Sequence, residues 1–295
     1  MADTTRAFVT GYPIGHSRSP LIHQYWLAHY AIAGKYEPVE TTADALAGFL
    51  SSLARHGFCG GNITLPHKEQ AYQLVDVCDE VARHIGAVNT VWLENGTLHG
   101  SNTDAYGFAS NLDDFAPGWE QDSALVLGAG GASRAVIYAL LRRGINKIFV
   151  VNRTRAKAER LAGYFGRALA VADWHDINTI IKQTALIINT TSLGMERHPE
   201  QSPAGSTIPF IDFGRARQDA LVTDIVYTPP VTPFLAAAQK AGLNTVDAVG
   251  MLLHQAVPGF ERWFGIKPKV TQELRSVILA SMGNKAADKS GDKAP

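Results

Sequence analysis

The feature that most restricts this chain is a continuous apolar run that breaks directly into glycine: Ala124-Leu125-Val126-Leu127, then Gly128-Ala129-Gly130-Gly131-Ala132-Ser133. Four apolar residues without alternation suit a strand covered on both faces, as in a parallel sheet with helices on either side. The glycines allow a tight turn, and the residues that follow, through Leu141, have helical patterning. Strand, turn and helix in that order bring backbone N–H groups and the positive end of a helix to one spot, where a pyrophosphate can be held. The third position of the usual glycine fingerprint is Ser133, small enough to keep close helix packing. Gly128, Ala129, Gly130, Gly131 and Ala132 are therefore assigned to a dinucleotide site.

The next strand distinguishes the two nicotinamide dinucleotides. Ile148-Phe149-Val150-Val151 ends in Asn152-Arg153-Thr154, with Lys157 one turn later, where an NAD-selective fold usually carries a carboxylate for the ribose hydroxyls. A 2′-phosphate can instead accept charge-assisted bonds from Arg153, so NADP is the expected cofactor, with Asn152, Thr154 and Lys157 beside it. Arg155 is read as part of a solvated helix start.

Around this unit, strand-like runs alternate with amphipathic helical patterns, which predicts an α/β fold of mostly parallel sheets. Phe8–Gly11, Tyr36–Glu40 and a run ending at Asn62-Ile63-Thr64 read as strands, and Ser19-Pro20 as the N-cap and first turn of a helix. Asp44–His56 reads as a second helix. Val88–Leu98, centred on Asn95-Gly96, carries a hairpin signal and is expected to decorate the first domain. Leu186–Asn189 and Leu221–Ile225 extend the second sheet, and two apolar-faced helices follow Asp247. The expected division is a domain over 1–105, a doubly wound Rossmann-like domain over 106–244, helices over 245–283 and a flexible tail over 284–295.

Length and composition agree with two cores: 295 residues, 46% hydrophobic and 18% charged. Lysine plus arginine balances aspartate plus glutamate, 27 against 27, which leaves no basic field for a nucleic-acid backbone. Two cysteines, Cys59 and Cys78, read as buried thiols of a reducing compartment, and no segment has the length of a membrane span. A cytoplasmic protein, monomeric or homodimeric, is expected. His16, His67 and His254 share no ligand spacing, and no metal is expected.

Four polar constellations remain in the first domain: Ser17 with Ser19, Asn62 to Lys68, Ala87 to Thr90, and Asn102-Thr103-Asp104. Individually each could be a turn or a cap. With Gly11 to Pro20, the Gly128 to Arg134 loop, Asn152-Arg153-Thr154, Asn189 to Met195, Asp224-Ile225-Val226-Tyr227, Thr232-Pro233, Gly250-Met251-Leu252 and Gln255-Ala256, they resemble the shikimate dehydrogenase family over nearly the whole chain to about Gly265. The resemblance implies NADP-dependent interconversion of 3-dehydroshikimate and shikimate, in the biosynthesis of chorismate and the aromatic amino acids. It implies that Lys68 is the proton donor and Asp104 its partner, and that Ser17 and Ser19 grip the substrate carboxylate. Asn62, Thr64, Asn89 and Gln255 would meet ring hydroxyls, and Tyr227 would close the site. Asn189, Thr190, Ser192, Ile225, Gly250 and Met251 would line the cofactor path. The terminal helices would return to the first domain, and substrate and cofactor would occupy two walls of one groove. A quinate or broader quinate/shikimate dehydrogenase is the nearest alternative, and a non-catalytic shikimate sensor is one from another class.

Overall fold

A computed structural model describes residues 4–194 and 211–287, with side chains as far as Met282. The chain forms two compact units. One runs to Gly107 and takes up Leu253–Ser281, and the other holds Phe108–Leu252. The terminal helices therefore return to the first unit, which is discontinuous in sequence.

The first unit is built on a six-stranded sheet of β1 (Thr5–Gly11), β2 (Gly34–Glu40), β3 (Phe58–Ile63), β4 (Val77–Cys78), β5 (Thr90–Glu94) and β6 (Thr97–Ser101), in the order β2-β1-β3-β5-β6-β4. Strands β2, β1 and β3 are parallel, while β5 runs antiparallel to both β3 and β6. The Asn95-Gly96 hairpin is thus no decoration. Its first strand lies inside the sheet, and Asn95 and Gly96 take φ of 51° and 81°, both left-handed, as a two-residue turn between twisted strands requires.

One face of this sheet packs Phe8, Leu50, Leu53, Phe58, Ile63 and Val91 into a core. A second core is aromatic: His23 stacks on Tyr36 with ring centroids 3.9 Å apart and also meets Trp26, Phe260 and Trp263. The helix Val257–Phe264 is fastened to the sheet here, because the Trp263 indole N–H donates to the Val91 carbonyl at 3.0 Å. Fully buried polar edges are costly unless paired, so this bond fixes how the returning segment sits.

Two helices differ from expectation. In the helix Ser19–His29 the N-cap is Arg18; Ser19 is the first helical residue, and its N–H donates to the Ser17 Oγ at 3.3 Å. Ser19 is therefore not a cap, and its hydroxyl is released for other partners. The expected helix over 44–56 shrinks to Leu46–Ser51. Ser51 and Ser52 both donate their hydroxyls to the Gly48 carbonyl, at 3.1 and 2.7 Å, which favours turns over helix propagation.

The second unit has an all-parallel sheet of β7 (Ala124–Leu127), β8 (Ile148–Val151), β9 (Leu169–Ala172), β10 (Leu186–Asn189), β11 (Leu221–Asp224) and β12 (Asn244–Val246), in the order β12-β11-β10-β7-β8-β9. Chain order proceeds outward from β7 to one edge and from β10 to the other. The carboxyl ends of β7 and β10 are therefore the topological switch point, where open parallel sheets bind their ligands. Leu125, Leu127, Val151, Ile187, Val222 and Phe234 share one core of this unit. Strands β4, β9 and β12 had no sequence expectation, being two to four residues long at sheet edges. The last helix, Gln272–Ala287, runs past 283, where the terminal helices were expected to end. Among the described residues no helix is long and apolar enough to cross a membrane.

Burial in the aromatic core holds the His23 imidazole far below its ordinary 6.5, at about 3. The Asn62 carboxamide offsets a small part of this without hydrogen-bond geometry to either ring nitrogen. A base whose pKa is lower folded than unfolded contributes stability that is complete above 6.5 and is lost as pH falls toward about 3, because only the unfolded chain takes up the proton. Urea midpoints should accordingly fall between pH 7 and pH 4, and fall less steeply in a His23→Phe variant. Equal slopes for the two proteins would contradict this assignment.

Candidate active site

In the first unit the structure brings Lys68, Asn89 and Asp104 into direct contact. Lys68 opens the helix Lys68–Leu74, and Asp104 opens the helix Asp104–Phe115. The Lys68 ammonium donates to Asp104 Oδ2 at 2.6 Å, with the two side chains 25% and 14% exposed. The pair is thus shielded but still reachable. Asn89 Nδ2 donates to the other carboxylate oxygen, Asp104 Oδ1, at 2.8 Å. Both oxygens are held, so the carboxylate is fixed in orientation as well as place.

A second tier fixes Asn89 and the turn before Asp104. Asn89 Oδ1 accepts from the Thr103 backbone N–H at 2.8 Å and from the Thr90 hydroxyl at 2.9 Å. Asn102 Oδ1 accepts from the Asp104 N–H at 3.0 Å while its Nδ2 donates to the Ala87 carbonyl at 3.0 Å. Asn102 therefore turns the chain and starts the helix that Asp104 opens. Thr103, named within the motif but given no role by sequence, donates its hydroxyl to the Gln255 carbonyl at 2.7 Å. The candidate contact Gln255 is so tied to the same turn.

The other substrate-side candidates lie nearby in the fold with different commitments. Asn62 is buried: its Nδ2 donates to the Asn89 carbonyl and the Thr90 Oγ1, each at 3.1 Å, and its Oδ1 accepts from the Tyr36 hydroxyl at 2.6 Å. Only acceptor capacity on Oδ1 remains. Thr64 is half-buried on the turn between β3 and the Lys68 helix, its N–H on the Thr10 carbonyl at 2.9 Å. Ser17 is half-buried and Ser19 buried. His67 is buried with Nε2 2.6 Å from the Thr41 carbonyl, a structural bond that occupies the ring.

In the second unit the glycine loop has the form the sequence predicts. Gly128 takes φ of 115°, a backbone that L side chains rarely adopt, and a Cβ there would lie 2.6 Å from Thr190 Oγ1. Gly130 and Gly131 are exposed, with open space where a Gly130 Cβ would stand, and the helix Gly131–Arg142 begins there. Open backbone at a helix N-terminus on the switch point fits a pyrophosphate. Ser133, the departure from the fingerprint, is fully buried; its hydroxyl accepts from the Gly130 N–H at 3.1 Å and lies 2.7 Å from the Thr190 hydroxyl. It acts as an internal strut that a third glycine could not provide.

Beyond β8, Asn152 Nδ2 donates to the Thr154 carbonyl at 2.8 Å and shapes the turn. Arg155 is committed to Glu159 at 2.9 Å and Asp173 at 2.6 Å. Arg153 and Lys157 are exposed and have no ion pair among the described residues, which leaves both cations for an anion. Asp173 also stands near His175 and Asp176, but the arginine and the Asp173 N–H already occupy those carboxylates.

Asn189 and Thr190, expected along the cofactor path, are buried and turned inward. Asn189 donates to Asp224 Oδ1 at 3.0 Å and to the Leu193 carbonyl at 3.2 Å, and Thr190 donates to the Leu127 carbonyl at 2.7 Å. Ser192 is exposed, while Ile225 and Tyr227 are half-buried. Asp224 gathers this edge, since it also accepts from the Val226 N–H at 2.9 Å and the Thr232 hydroxyl at 2.7 Å. Burial raises its carboxyl pKa, and these donors pull it partly back. Met195 lies outside the described residues.

Met251 is half-buried and Gly250 buried. A Gly250 Cβ would stand 1.9 Å from Asn111 Oδ1, and Asn111 Nδ2 donates to the Asp247 carbonyl at 2.7 Å. Gly250 is therefore required by packing, whatever else it touches. Gly250→Ala should destabilise the protein by about 1–3 kcal/mol in urea unfolding, the usual cost of an overpacked site. A neutral substitution would mean that Asn111 swings away freely.

Comparison with known proteins points to one family. The model of the shikimate dehydrogenase substrate-binding domain matches residues 9–91, that of shikimate/quinate 5-dehydrogenase matches 111–250, and that of the shikimate 5′-dehydrogenase C-terminal domain matches 249–272. The shikimate dehydrogenase (NADP(+)) of Brucella abortus strain S19 is 57% identical over 288 residues, 97% of this chain and 98% of that protein. Shikimate 5-dehydrogenase from Thermus thermophilus, solved with NADP(H) and shikimate, is 35% identical with a TM-score of 0.80, over 95% of this chain and 99% of that one. The quinate dehydrogenase of Corynebacterium glutamicum, solved with NAD, is 30% identical with a TM-score of 0.83, over 94% and 99%. Family models that cover most of the chain, and a relative sharing more than half its residues end to end, establish that this chain belongs to the shikimate dehydrogenase family.

Proposed function

We propose that this protein is an NADP-dependent shikimate dehydrogenase that reversibly reduces 3-dehydroshikimate to shikimate, on the route to chorismate and the aromatic amino acids. The observation that carries the proposal is the Lys68 ammonium held at 2.6 Å on a carboxylate that is itself fixed at both oxygens. When bound, the dinucleotide supplies the hydride. Reducing a ring ketone also requires a proton on the carbonyl oxygen, and Lys68 Nζ is a donor with further hydrogens beyond the one given to Asp104. Asp104 keeps that ammonium aimed and is positioned to accept from the product hydroxyl. In the oxidative direction the same amine takes the hydroxyl proton.

Ser17 and Ser19 suit the substrate carboxylate, and Thr64, Asn89 and Gln255 suit ring hydroxyls, with Asn62 adding an acceptor and Tyr227 closing the site. Gly128, Ala129, Gly130, Gly131 and Ala132 suit the pyrophosphate. Arg153 and Lys157, with Asn152 and Thr154, suit the 2′-phosphate. Ser192, Ile225, Gly250 and Met251 suit the remaining path, with Asn189 and Thr190 holding its loops. A cytoplasmic protein that acts without nucleic acid, as monomer or homodimer, is consistent with the balanced charge.

Quinate oxidation with NAD is the second reading, favoured by the likeness to the Corynebacterium enzyme. The unpaired Arg153 weighs against it. Steady-state assays of shikimate and quinate with each cofactor discriminate the two, and faster quinate turnover with NAD would reverse the proposal. Lys68→Ala should lower kcat by about two to four decades while KM for shikimate changes only a few-fold. Arg153→Ala should raise KM for NADP by about one to two decades and leave KM for NAD nearly unchanged, as expected for charge-assisted bonds to a phosphate that NAD lacks.

A further inference from the structure

The Tyr36 hydroxyl is out of place in its surroundings. Its ring is 1% exposed on β2, stacked on His23 and close to Trp263, in a core where Trp26 and Phe260 complete an aromatic cluster. Phenylalanine would pack the same cavity without desolvating a hydroxyl, which is a cost unless the group is bonded. The partner of that hydroxyl is from the substrate set: it donates to Asn62 Oδ1 at 2.6 Å.

The bond has a directional consequence. A phenol carries one hydrogen, and Asn62 takes it. Asn62 Oδ1 held by Tyr36 directs Nδ2 toward the Asn89 carbonyl and Thr90 Oγ1, at 3.1 Å each. The carboxamide cannot flip without losing all three bonds. One buried hydroxyl therefore fixes the orientation of a residue proposed for the substrate's ring hydroxyls, and through it the segment that carries Asn89.

We infer that Tyr36 is a positioning residue for substrate recognition, acting through Asn62 and touching no ligand itself; this rests on the function proposed above. His23, stacked at 3.9 Å with an interplanar angle of 13°, holds the phenol ring from beneath. Tyr36 belongs to none of the motifs, so nothing in the local sequence marks it.

The test is Tyr36→Phe, compared with the wild type by shikimate titration calorimetry, by KM and kcat for shikimate and NADP, and by thermal midpoint. The expected outcome is about a tenfold weaker Kd and higher KM for shikimate, the scale of one buried hydrogen bond that leaves a partner unsatisfied. KM for NADP should stay the same and kcat should remain within about threefold. In an Asn62→Ala background the effect of Tyr36→Phe should shrink, because the bond it removes is already gone. Unchanged shikimate binding, even with a lowered thermal midpoint, would assign Tyr36 to structure alone and overturn the inference. Equal rises in KM for shikimate and NADP would overturn it too. Wild-type protein that neither binds nor turns over shikimate would remove the proposed function and the inference together, whereas a binding-competent but inactive wild type would remove the function only and leave calorimetry to decide on Tyr36.

Discussion

The candidate site of the first unit is organised around a half-buried ion pair, Lys68 with Asp104. Two charges taken partly out of water recover through mutual attraction about what they lose in hydration, so the Lys68–Asp104 contact is poor evidence of a stabilising element. Its upkeep falls on neutral groups. Asn89, Thr90, Asn102 and Thr103 supply the bonds that hold Asp104, and the carboxylate also sits in the first turn of its helix, where the positive end of the dipole favours it. The pair is consequently asymmetric. Without Lys68, Asp104 still has Asn89 and the helix N-terminus; without Asp104, the ammonium loses its only charged partner among the described residues.

The second unit meets the opposite requirement, since it must present backbone N–H groups and leave them unsatisfied. The switch point between β7 and β10 supplies the place, and the Ser133–Thr190 contact braces it by joining the helix after β7 to the end of β10. Serine at the third fingerprint position is thus a gain of rigidity with little added size. The neighbouring basic turn is selective in the same way: Arg155 is consumed by two carboxylates, whereas Arg153 and Lys157 have no ion pair among the described residues.

What the sequence displayed well was whatever depends on short-range chemistry. The apolar run into Gly128, the Asn95-Gly96 turn, Lys68 and Asp104 within their motifs, and the missing carboxylate after Val151 were all visible, and each has the local form expected. What it hid depends on distant partners. Ser19 looked like a cap because Pro20 follows it, yet the preceding residue takes that position. The 44–56 segment looked helical by apolar spacing, but two serine hydroxyls compete for the Gly48 carbonyl. Short edge strands such as β4 and β12 have no periodicity to read. Thr103 and Tyr36 could not be singled out, since their partners, Gln255 and Asn62, lie 152 and 26 residues away.

The asparagines show why a motif cannot separate contact from support. Asn89 and Asn189 sit at strand ends in different units and work alike, because each donates Nδ2 to a carboxylate, Asp104 or Asp224, and each accepts a backbone N–H on Oδ1, from Thr103 or Thr191. A carboxamide pairs a carboxylate and an amide N–H at once without adding charge. The two networks end differently. Asp104 has a charged ammonium against one oxygen, whereas Asp224 accepts only from neutral donors, Asn189, Thr232 and the Val226 N–H. The same clamp thus holds one carboxylate against a titratable partner and another among neutral donors alone, and that difference lies in the partners beyond the motif.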